Sequence, residues 1–541
     1  MKIWLYDTTL RDGAQQEGIS LSLEDKLKIA RLLDGLGVPF IEGGWPGANP
    51  KDVKFFWQLQ QEPLTQAEVV AFCSTRRPKK VAADDPLLQA ILAAGTRWVT
   101  IFGKSWDLHV TEGLKTTLDE NQAMIADTIA YLRAQGRQVI YDAEHWFDGY
   151  KANPEYALRT LEAALDAGAD WLTLCDTNGG TLPHEVAEIS AAVVQGLGLD
   201  PGGSGPQLGI HTHNDSDLAV ANAIASVRAG ATMVQGTMNG YGERCGNANL
   251  CSAMANLQLK LGHECLEPEQ LAQLTTVSNT ISEIVNFAPD AHAPFVGLSA
   301  FAHKGGIHVS AVARNPFTYE HIAPEAIGNQ RRIVVSEQAG LSNILAKATS
   351  MGLHLDKQDP ACREILQRLK DLEARGYQFE VAEASLELLI HHVLGQRQEL
   401  FQLKGFQVLC DMLRAGEITA SNNALPDAIA TIKLAVGGEE RLEVAEGNGP
   451  VAALDAAVRK ALVNFYPEVA SFHLTDYKVR ILDSTAGTDA VTRTLIESSD
   501  GDRRWTTIGV SANILDASYQ AVVEGIEYGL LRSRQATPTR A

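Results

Sequence analysis

The sequence predicts an α/β protein: a (β/α)8 TIM barrel, then a mostly helical connecting region and a C-terminal α+β domain. Eight short apolar runs alternate with stretches of helical spacing over residues 1–264, which is the pattern of a parallel barrel. A doubly wound open sheet is the alternative, but the Gly-x-Gly-x-x-Gly turn typical of that fold does not follow the first strand. The predicted strands are Ile3–Tyr6, Phe40–Gly44, Val69–Ser74, Trp98–Phe102, Gln138–Asp142, Trp171–Cys175, Leu208–His213 and Met233–Thr237.

The stretches between these strands carry the end signals of helices. Ser22 stands three residues before Asp25, a spacing that predicts a helix N-terminus with reciprocal capping. The stretch from Pro154 to Gly168 begins with proline and ends with glycine, as helices prefer.

Two further regions follow the predicted barrel. Residues 265–424 predict a connecting region with helices over Glu267–Val285 and Pro360–Leu394, separated by the loop-rich stretch Ala288–Arg332. Residues 425–541 predict a small duplicated domain in which strands are twice followed by a helix. Its predicted elements are strands Ala428–Val436 and Arg441–Ala445, helix Pro450–Asn464, strands Phe472–Ile481, Ala490–Ser498 and Arg504–Val510, and helix Ala512–Leu531.

Length, charge and cysteine content restrict the class of protein. A chain of 541 residues is expected to hold two or three domains. The formal net charge of -20 argues against nucleic acid or an anionic membrane as a partner. The seven cysteines form no Cys-x-x-Cys pair, and no uncharged apolar run approaches the roughly 18 residues of a membrane span. We therefore expect a cytoplasmic protein that acts on small molecules.

Polar residues follow the predicted strands where a barrel would gather them at one mouth. His211 and His213 end the seventh strand and point to the same side, because side chains alternate along a strand. Asp12 follows the first strand. In a closed barrel only the eighth strand lies between the first and the seventh, so Asp12 can approach the two histidines. One carboxylate and two imidazoles leave open positions on a divalent ion, and Asn247 could supply a further oxygen. The same mouth is expected to hold Arg11, Glu42, Glu144, Asp176, Thr177, Glu243 and Arg244.

Each of these residues also has a structural explanation. Asp12 before Gly13 is compatible with a turn, Glu144 with a solvated loop acid, and Thr177 with a hydroxyl that satisfies backbone groups. Their convergence on one mouth favours a functional site.

Several motifs resemble a known group of enzymes. Residues 7–15 (DTTLRDGAQ), 211–215 (HTHND) and 240–247 (GYGERCGN) resemble the DRE-TIM metallolyase superfamily, and more narrowly the 2-isopropylmalate, homocitrate and citramalate synthases. Residues 42–50, 144–149 and 302–310 are most similar to the citramalate synthases of the long type. Residues 446–455 and 487–490 resemble the amino-acid-sensing regulatory domain of these synthases, so the resemblance covers nearly the whole chain.

The resemblance implies a Claisen-type condensation of acetyl-CoA with pyruvate, followed by thioester hydrolysis to citramalate and CoA. It implies a divalent cation (Mn2+, Mg2+ or Zn2+) held by Asp12, His211, His213 and Asn247. Arg11 would neutralise the oxyanion that forms at the ketone, and Thr177 would bind the pyruvate carboxylate. Glu144 would take the proton from the acetyl methyl group.

The resemblance also implies a homodimer or a higher homo-oligomer, because relatives bring a histidine and a tyrosine to the active site of the partner subunit. His308 and Tyr319 occupy the matching places, and His303 is a rival for the histidine. Some relatives have an aspartate two residues after the histidine, where this chain has Ser310. This chain therefore departs here from the relatives whose proton relay uses the acid.

The C-terminal domain is expected to bind isoleucine as a feedback inhibitor, with a dimerisation module that binds no ligand as the alternative. Three alternatives to a citramalate synthase remain open. They are a sister synthase that takes a larger 2-keto acid, a metal-dependent lyase that cleaves a hydroxyacyl-CoA, and a non-enzymatic amino-acid sensor.

Overall fold

A computed structural model describes residues 1–336, 339–353, 355–410 and 428–536. It divides the chain into two compact units: Met1–Phe301 with His321–Arg331, and Ala302–Glu320 with the described residues from Arg332 onward. Within these ranges, every helix is too short or too polar to span a lipid bilayer.

The first unit is built on a closed barrel of eight parallel strands in sequence order, with the eighth paired to the first. The predicted barrel is therefore confirmed, and the predicted strand ends lie within two residues of the observed ones. The strands are β1 Trp4–Asp7, β2 Phe40–Gly44, β3 Glu68–Ser74, β4 Trp98–Lys104, β5 Gln138–Glu144, β6 Trp171–Asp176, β7 Gln207–Thr212 and β8 Met233–Gly236.

The helices of this unit pack around the barrel. Ser22 and Asp25 form the predicted reciprocal cap of the first helix, and Pro154 begins a helix as predicted. The single helix predicted over Glu267–Val285 is instead two helices that break at residues 272–273. The helices are α1 Leu23–Leu36, α2 Pro50–Gln61, α3 Pro86–Ala93, α4 Leu118–Ala134, α5 Trp146–Ala152, α6 Pro154–Asp166, α7 Pro183–Gly196, α8 Ala219–Arg228, α9 Leu250–Leu259, α10 Pro268–Leu271 and α11 Leu274–Ile284.

Aromatic rings fill the amino-terminal end of the barrel. Trp4, Phe40, Trp98 and Trp171 come from the first residues of four strands, and their ring centroids lie 5.2–6.1 Å apart. Rings from β1, β2, β4 and β6 that touch one another must occupy the barrel interior. This packing closes one end and leaves the carboxyl ends of the strands open for polar side chains.

The second unit begins with a short parallel pair, β9 Ala302–His303 and β10 Arg332–Ile333. Its helices are α12 Gly306–Arg314, α13 Leu341–Ser350, α14 Pro360–Ala374 and α15 Glu383–Val393. The predicted helix Pro360–Leu394 is thus wrong as one element, because it breaks over residues 375–382. Gly376 follows the end of α14 with φ +106°, a conformation that ends helices and favours glycine.

The C-terminal part of this unit repeats a three-stranded antiparallel sheet followed by a helix, which confirms the predicted duplication. The elements are β11 Gln402–Cys410, β12 Ala428–Val436, β13 Glu439–Gly447, α16 Pro450–Leu462, β14 His473–Ile481, β15 Thr492–Ser499, β16 Arg504–Ser511 and α17 Ile514–Ala536. Strand β11 was not predicted. The predicted boundary between residues 424 and 425 lies outside the described residues, as do residues 537–541 of the predicted domain.

Candidate active site

Three predicted metal ligands meet at the carboxyl end of the barrel. Asp12 Oδ2 lies 3.3 Å from His211 Nε2, and the ligand atoms of Asp12, His211 and His213 lie within 4.8 Å of one another. All three side chains are buried. This set of one carboxylate and two imidazoles suits a divalent cation that keeps open positions for substrate and water.

Asn247 lies next to this cluster. Its backbone pairs with that of His213 in an isolated bridge, and its Nδ2 donates to Tyr241 O at 3.1 Å. In the part of the chain that the structure describes, Asn247 Oδ1 and His213 Nδ1 are buried without a hydrogen-bond partner. Buried polar atoms are normally satisfied, so these atoms fit a site that is completed by a cation and its water.

Arg11 connects the cluster to the barrel interior. Its Nε donates to Glu42, Nη1 lies 3.5 Å from Asp12 Oδ2, and the guanidinium stacks 3.8 Å from the Phe72 ring centroid. Glu42 also accepts a hydrogen bond from Tyr6 at 2.6 Å. Burial disfavours the guanidinium charge, but Glu42 and Asp12 outweigh it and raise the pKa of Arg11. A fixed positive charge therefore stands beside the proposed metal ligands.

The same contacts set the protonation of the cluster. Burial alone would raise the pKa of Asp12, but Arg11 and His211 together hold it well below its usual range. Burial, reinforced by the neighbouring His211, lowers the pKa of His213 to about 4. Near neutral pH, Asp12 is thus an anion and His213 a neutral ring, which are the forms that bind a metal. Burial would lower the pKa of His211, but Asp12 raises it, so a cation that binds His211 competes with a proton.

Glu144 and Thr177 line the same cavity, which measures about 800 Å3 including its part open to solvent. Glu144 forms an ion pair with Lys104, which is the last residue of β4. The Thr177 hydroxyl accepts a hydrogen bond from the His145 backbone N–H at 2.9 Å. Arg244 also reaches this rim, where it forms two bonds of 2.7 and 2.9 Å with Asp215 and one of 2.8 Å to Thr177 O.

Not every polar residue expected at the mouth lines the cavity. Glu42 lies behind Arg11. Asp176 is turned away, because its carboxylate accepts from the Thr181 hydroxyl at 2.9 Å and so holds the loop after β6. The residues that line the cavity, expected and unexpected together, are Arg11, Asp12, Gln15, Trp45, Phe72, Phe102, Asp142, Glu144, Cys175, Thr177, His211, His213, Glu243 and Arg244.

Several of these residues were missed from the sequence. Trp45, Phe72 and Phe102 form an aromatic wall, with Phe72 and Phe102 stacked at 5.1 Å and Trp45 edge-on to both. Lys104 was missed because β4 runs two residues beyond its predicted end. The available signal was a lysine shortly after the predicted fourth strand, whose carboxyl end lies at the barrel mouth. Phe72 and Phe102 read as ordinary strand core, whereas Trp45 was noted only as part of the motif at residues 42–50.

His308 and Tyr319 belong to the second unit. Their ring centroids lie 4.2 Å apart, and Tyr319 is 46% exposed. The rival His303 is buried, with Nε2 at 3.0 Å from Glu320 Oε1. Ser310 lies on α12, one turn along from Ile307. The exposed His308, and not His303, is therefore available to meet another surface.

Comparison with known proteins covers nearly the whole chain. The HMGL-like family matches residues 2–281, the homocitrate synthase post-HMGL domain residues 295–377, and the LeuA allosteric (dimerisation) domain residues 380–530. An (R)-citramalate synthase of a Synechocystis strain is 72% identical over 98% of this chain and 96% of its own length. The corresponding Aquifex aeolicus protein is 51% identical over 99% of both chains. A probable 2-isopropylmalate synthase of Methanopyrus kandleri is 31% identical over 97% of this chain and 98% of its own.

Two findings agree with the motifs in the sequence. The barrel has two imidazoles and a carboxylate at its mouth, and the family match covers residues 2–281. The chain belongs to the HMGL-like family and, within it, to the long-type (R)-citramalate synthases.

Proposed function

We propose that this enzyme condenses acetyl-CoA with pyruvate and hydrolyses the resulting thioester to citramalate and CoA. The observation that carries the proposal is the buried group of Asp12, His211 and His213 beside the Arg11 guanidinium. The names of the full-length relatives support the substrates.

Asp12, His211 and His213 would hold a divalent cation, with Asn247 Oδ1 as a further oxygen donor. A cation bound there would act as a Lewis acid towards the ketone of pyruvate. The identity of the metal does not affect the roles of the side chains below.

Arg11 and Thr177 would bind and orient pyruvate. The Arg11 guanidinium, fixed between Glu42 and Phe72, would stabilise the negative charge that develops on the ketone oxygen. Because the Thr177 hydroxyl accepts from the His145 backbone, its own proton can be donated to the pyruvate carboxylate.

Glu144 would remove a proton from the methyl group of acetyl-CoA. Glu144 forms an ion pair with Lys104 at the cavity, and a carboxylate held there can accept this proton. The carbanion would then attack the ketone carbon, which forms the new carbon–carbon bond and leaves an alkoxide beside Arg11. Water would subsequently cleave the thioester and release CoA.

The aromatic wall would favour pyruvate over larger 2-keto acids. Phe72 and Phe102 are stacked rings on neighbouring strands, and Trp45 packs against both, so the wall cannot yield easily to a longer side chain. Binding the methyl group of pyruvate against close-packed rings costs less free energy than binding the branched side chain of a larger 2-keto acid.

His308 and Tyr319 would complete the active site of the partner subunit in a homodimer. α12 and the turn after it expose apolar and aromatic side chains, with Ile307 81% and Phe317 72% exposed. The C-terminal sheets also expose aliphatic residues, among them Leu442 and Ile481, which suits a dimerisation domain. We propose the reducing cytoplasm as the compartment of this enzyme, whose seven cysteines are all free thiols.

Isoleucine is the effector that we propose for the C-terminal domain, by analogy with the allosteric domain it matches. Its binding would inhibit the barrel through a coupling free energy of roughly 1–3 kcal/mol. Titration of the full-length enzyme with isoleucine, with leucine and valine as controls, tests this. Unchanged activity at saturating isoleucine would leave the domain as a dimerisation module.

A substrate panel tests the reaction. Purified protein is given acetyl-CoA, Mn2+ and a series of 2-keto acids, and free CoA thiol is followed. We expect the highest kcat/KM with pyruvate, whereas a preference for 2-ketoisovalerate would assign the chain to the isopropylmalate synthases.

Mixed oligomers test the role of His308. Glu144→Gln and His308→Ala should each be inactive alone, and activity should return when the two are co-expressed, because one mixed site has both residues intact. Mixtures that stay inactive would show that each barrel uses its own His308.

A further inference from the structure

A buried polar chain inside the barrel ends on His211. Nδ1 of His211 lies 2.8 Å from Gln235 Oε1, while its Nε2 faces Asp12. Gln235 Nε2 in turn donates to Asp142 Oδ1 at 2.9 Å and to Thr173 Oγ1 at 3.2 Å. These side chains come from β5, β6, β7 and β8, and all are buried.

The order of donors and acceptors along this chain is fixed by chemistry. An ionised carboxylate only accepts hydrogen bonds, so Asp142 turns the NH2 group of Gln235 towards itself. The amide oxygen is then left facing His211, where it can only accept, and Nδ1 must carry the proton. In the neutral ring the lone pair therefore lies on Nε2, the nitrogen beside Asp12.

We propose that Gln235 and Asp142 are positioning residues that fix the tautomer and ring orientation of His211 and so set the affinity of the cluster for a divalent cation. The inference rests on the proposed metal site. A ligating histidine commonly donates its other N–H to a fixed acceptor, which orients the ring and increases its basicity. Here the acceptor is an amide whose own orientation depends on a carboxylate one step further away.

The first test is binding of Mn2+ to chelator-treated, full-length protein, measured by titration calorimetry without substrate. Gln235→Leu should weaken binding about 10–100-fold, the usual loss for a partner of a metal ligand. Gln235→Met takes its place if the leucine variant does not fold. Co2+ offers a second readout, because its visible spectrum reports a change in ligand geometry.

Asp142 provides a sharper test, since it is hydrogen-bonded to Gln235 and not to a metal ligand. Asp142→Leu should also weaken Mn2+ binding, because the amide can then flip. In the Gln235→Leu background the same change should have little further effect, since the two residues act in series. If the two substitutions weaken Mn2+ binding independently, so that their effects multiply, the two residues do not act in series and the inference is contradicted.

A swapped pair tests whether hydrogen-bond order, and not volume, is responsible. In the double variant Asp142→Asn with Gln235→Glu, the new amide donates to the new carboxylate, which still accepts from His211. We expect Mn2+ affinity within about threefold of the original. Affinity as weak as that of Gln235→Leu would overturn the inference.

Ser190→Ala is the matched control, because Ser190 forms a buried hydroxyl pair of 2.9 Å with Ser226 between α7 and α8. This substitution removes one buried hydrogen bond and leaves the hydrogen bonds between His211, Gln235 and Asp142 intact, so Mn2+ affinity should not change. If the unsubstituted protein binds no Mn2+, the proposed metal site itself fails. If it binds Mn2+ and Gln235→Leu leaves affinity within twofold, only the positioning role fails.

Discussion

The two ends of the barrel use the same eight strands for opposite purposes. At the amino end, Trp4, Phe40, Trp98 and Trp171 pack ring against ring and contribute apolar burial. At the carboxyl end, polar and charged side chains share the interior with an aromatic wall, and several of the buried charges are paired, as in Arg11 with Glu42. One end therefore stabilises the fold, and the other holds a site whose groups are costly to bury.

The largest effect is expected at the carboxyl end, when a proposed metal ligand is removed. His211→Ala should abolish Mn2+ binding and lower kcat by more than about 100-fold, while the far-ultraviolet circular dichroism stays unchanged. A variant that remains active without metal would contradict the ligand role of His211.

The reverse effect is expected at the amino end. Phe40→Ala removes a ring that contacts four others and should lower the free energy of unfolding by about 3–5 kcal/mol. Mn2+ affinity of the folded protein should not change. Phe40→Leu keeps most of the apolar volume and should lose less stability in the same denaturant titration.

Part of the pH dependence of stability should also come from the carboxyl end. Burial raises the pKa of Asp7 from 3.8 to about 7 despite its hydrogen bonds from Thr9. The folded state therefore binds a proton that the unfolded state has released, so stability falls as pH rises from 3.8 to about 7. Asp142, with a pKa raised to about 6 by burial, acts in the same direction.

Asp7→Asn removes one of these two contributions, which is at most about 4 kcal/mol over that pH range. Unfolding free energies measured in urea between pH 5 and pH 8 should consequently change less in the variant than in the original protein. An identical slope in both proteins would show that Asp7 is already ionised throughout this range.

The smallest expected effect concerns substrate choice. Phe102→Ala opens the aromatic wall and should raise the kcat/KM ratio of 2-ketobutyrate to pyruvate by about 10-fold or more, which is the usual effect of one methylene group. Trp57→Ala, which removes an exposed ring on α2, should leave this ratio unchanged. An unchanged ratio in Phe102→Ala would place the substrate side chain elsewhere in the cavity.

The comparison of the two ends also explains what the sequence could predict. Alternation of apolar runs and helical stretches located all eight barrel strands, and their order brought Asp12 to His211 and His213. Whether a polar side chain in a strand faces the barrel interior depends on the register between strands, which is a property of the tertiary structure. Gln235 and Asp142 therefore read as strand residues, and their contact across the interior could not be foreseen.

The second unit shows a different limit. Strand β11 alternates Leu403, Phe406 and Val408 with polar residues, but Gly405 and a register shift between residues 403 and 405 interrupt the period. The break before α15 was hidden because the residues on both sides have helical spacing. Local pattern gives the kind of element, whereas its ends depend on packing partners that the local sequence does not reveal.

We propose that one carboxylate and two imidazoles at the barrel mouth bind the cation that activates a 2-keto acid. A crystal soaked with Mn2+ and pyruvate, measured at the manganese absorption edge, tests it most directly. We predict an anomalous peak in contact with Asp12, His211 and His213. A fully loaded crystal whose peak lies away from these three residues would contradict this ligand assignment.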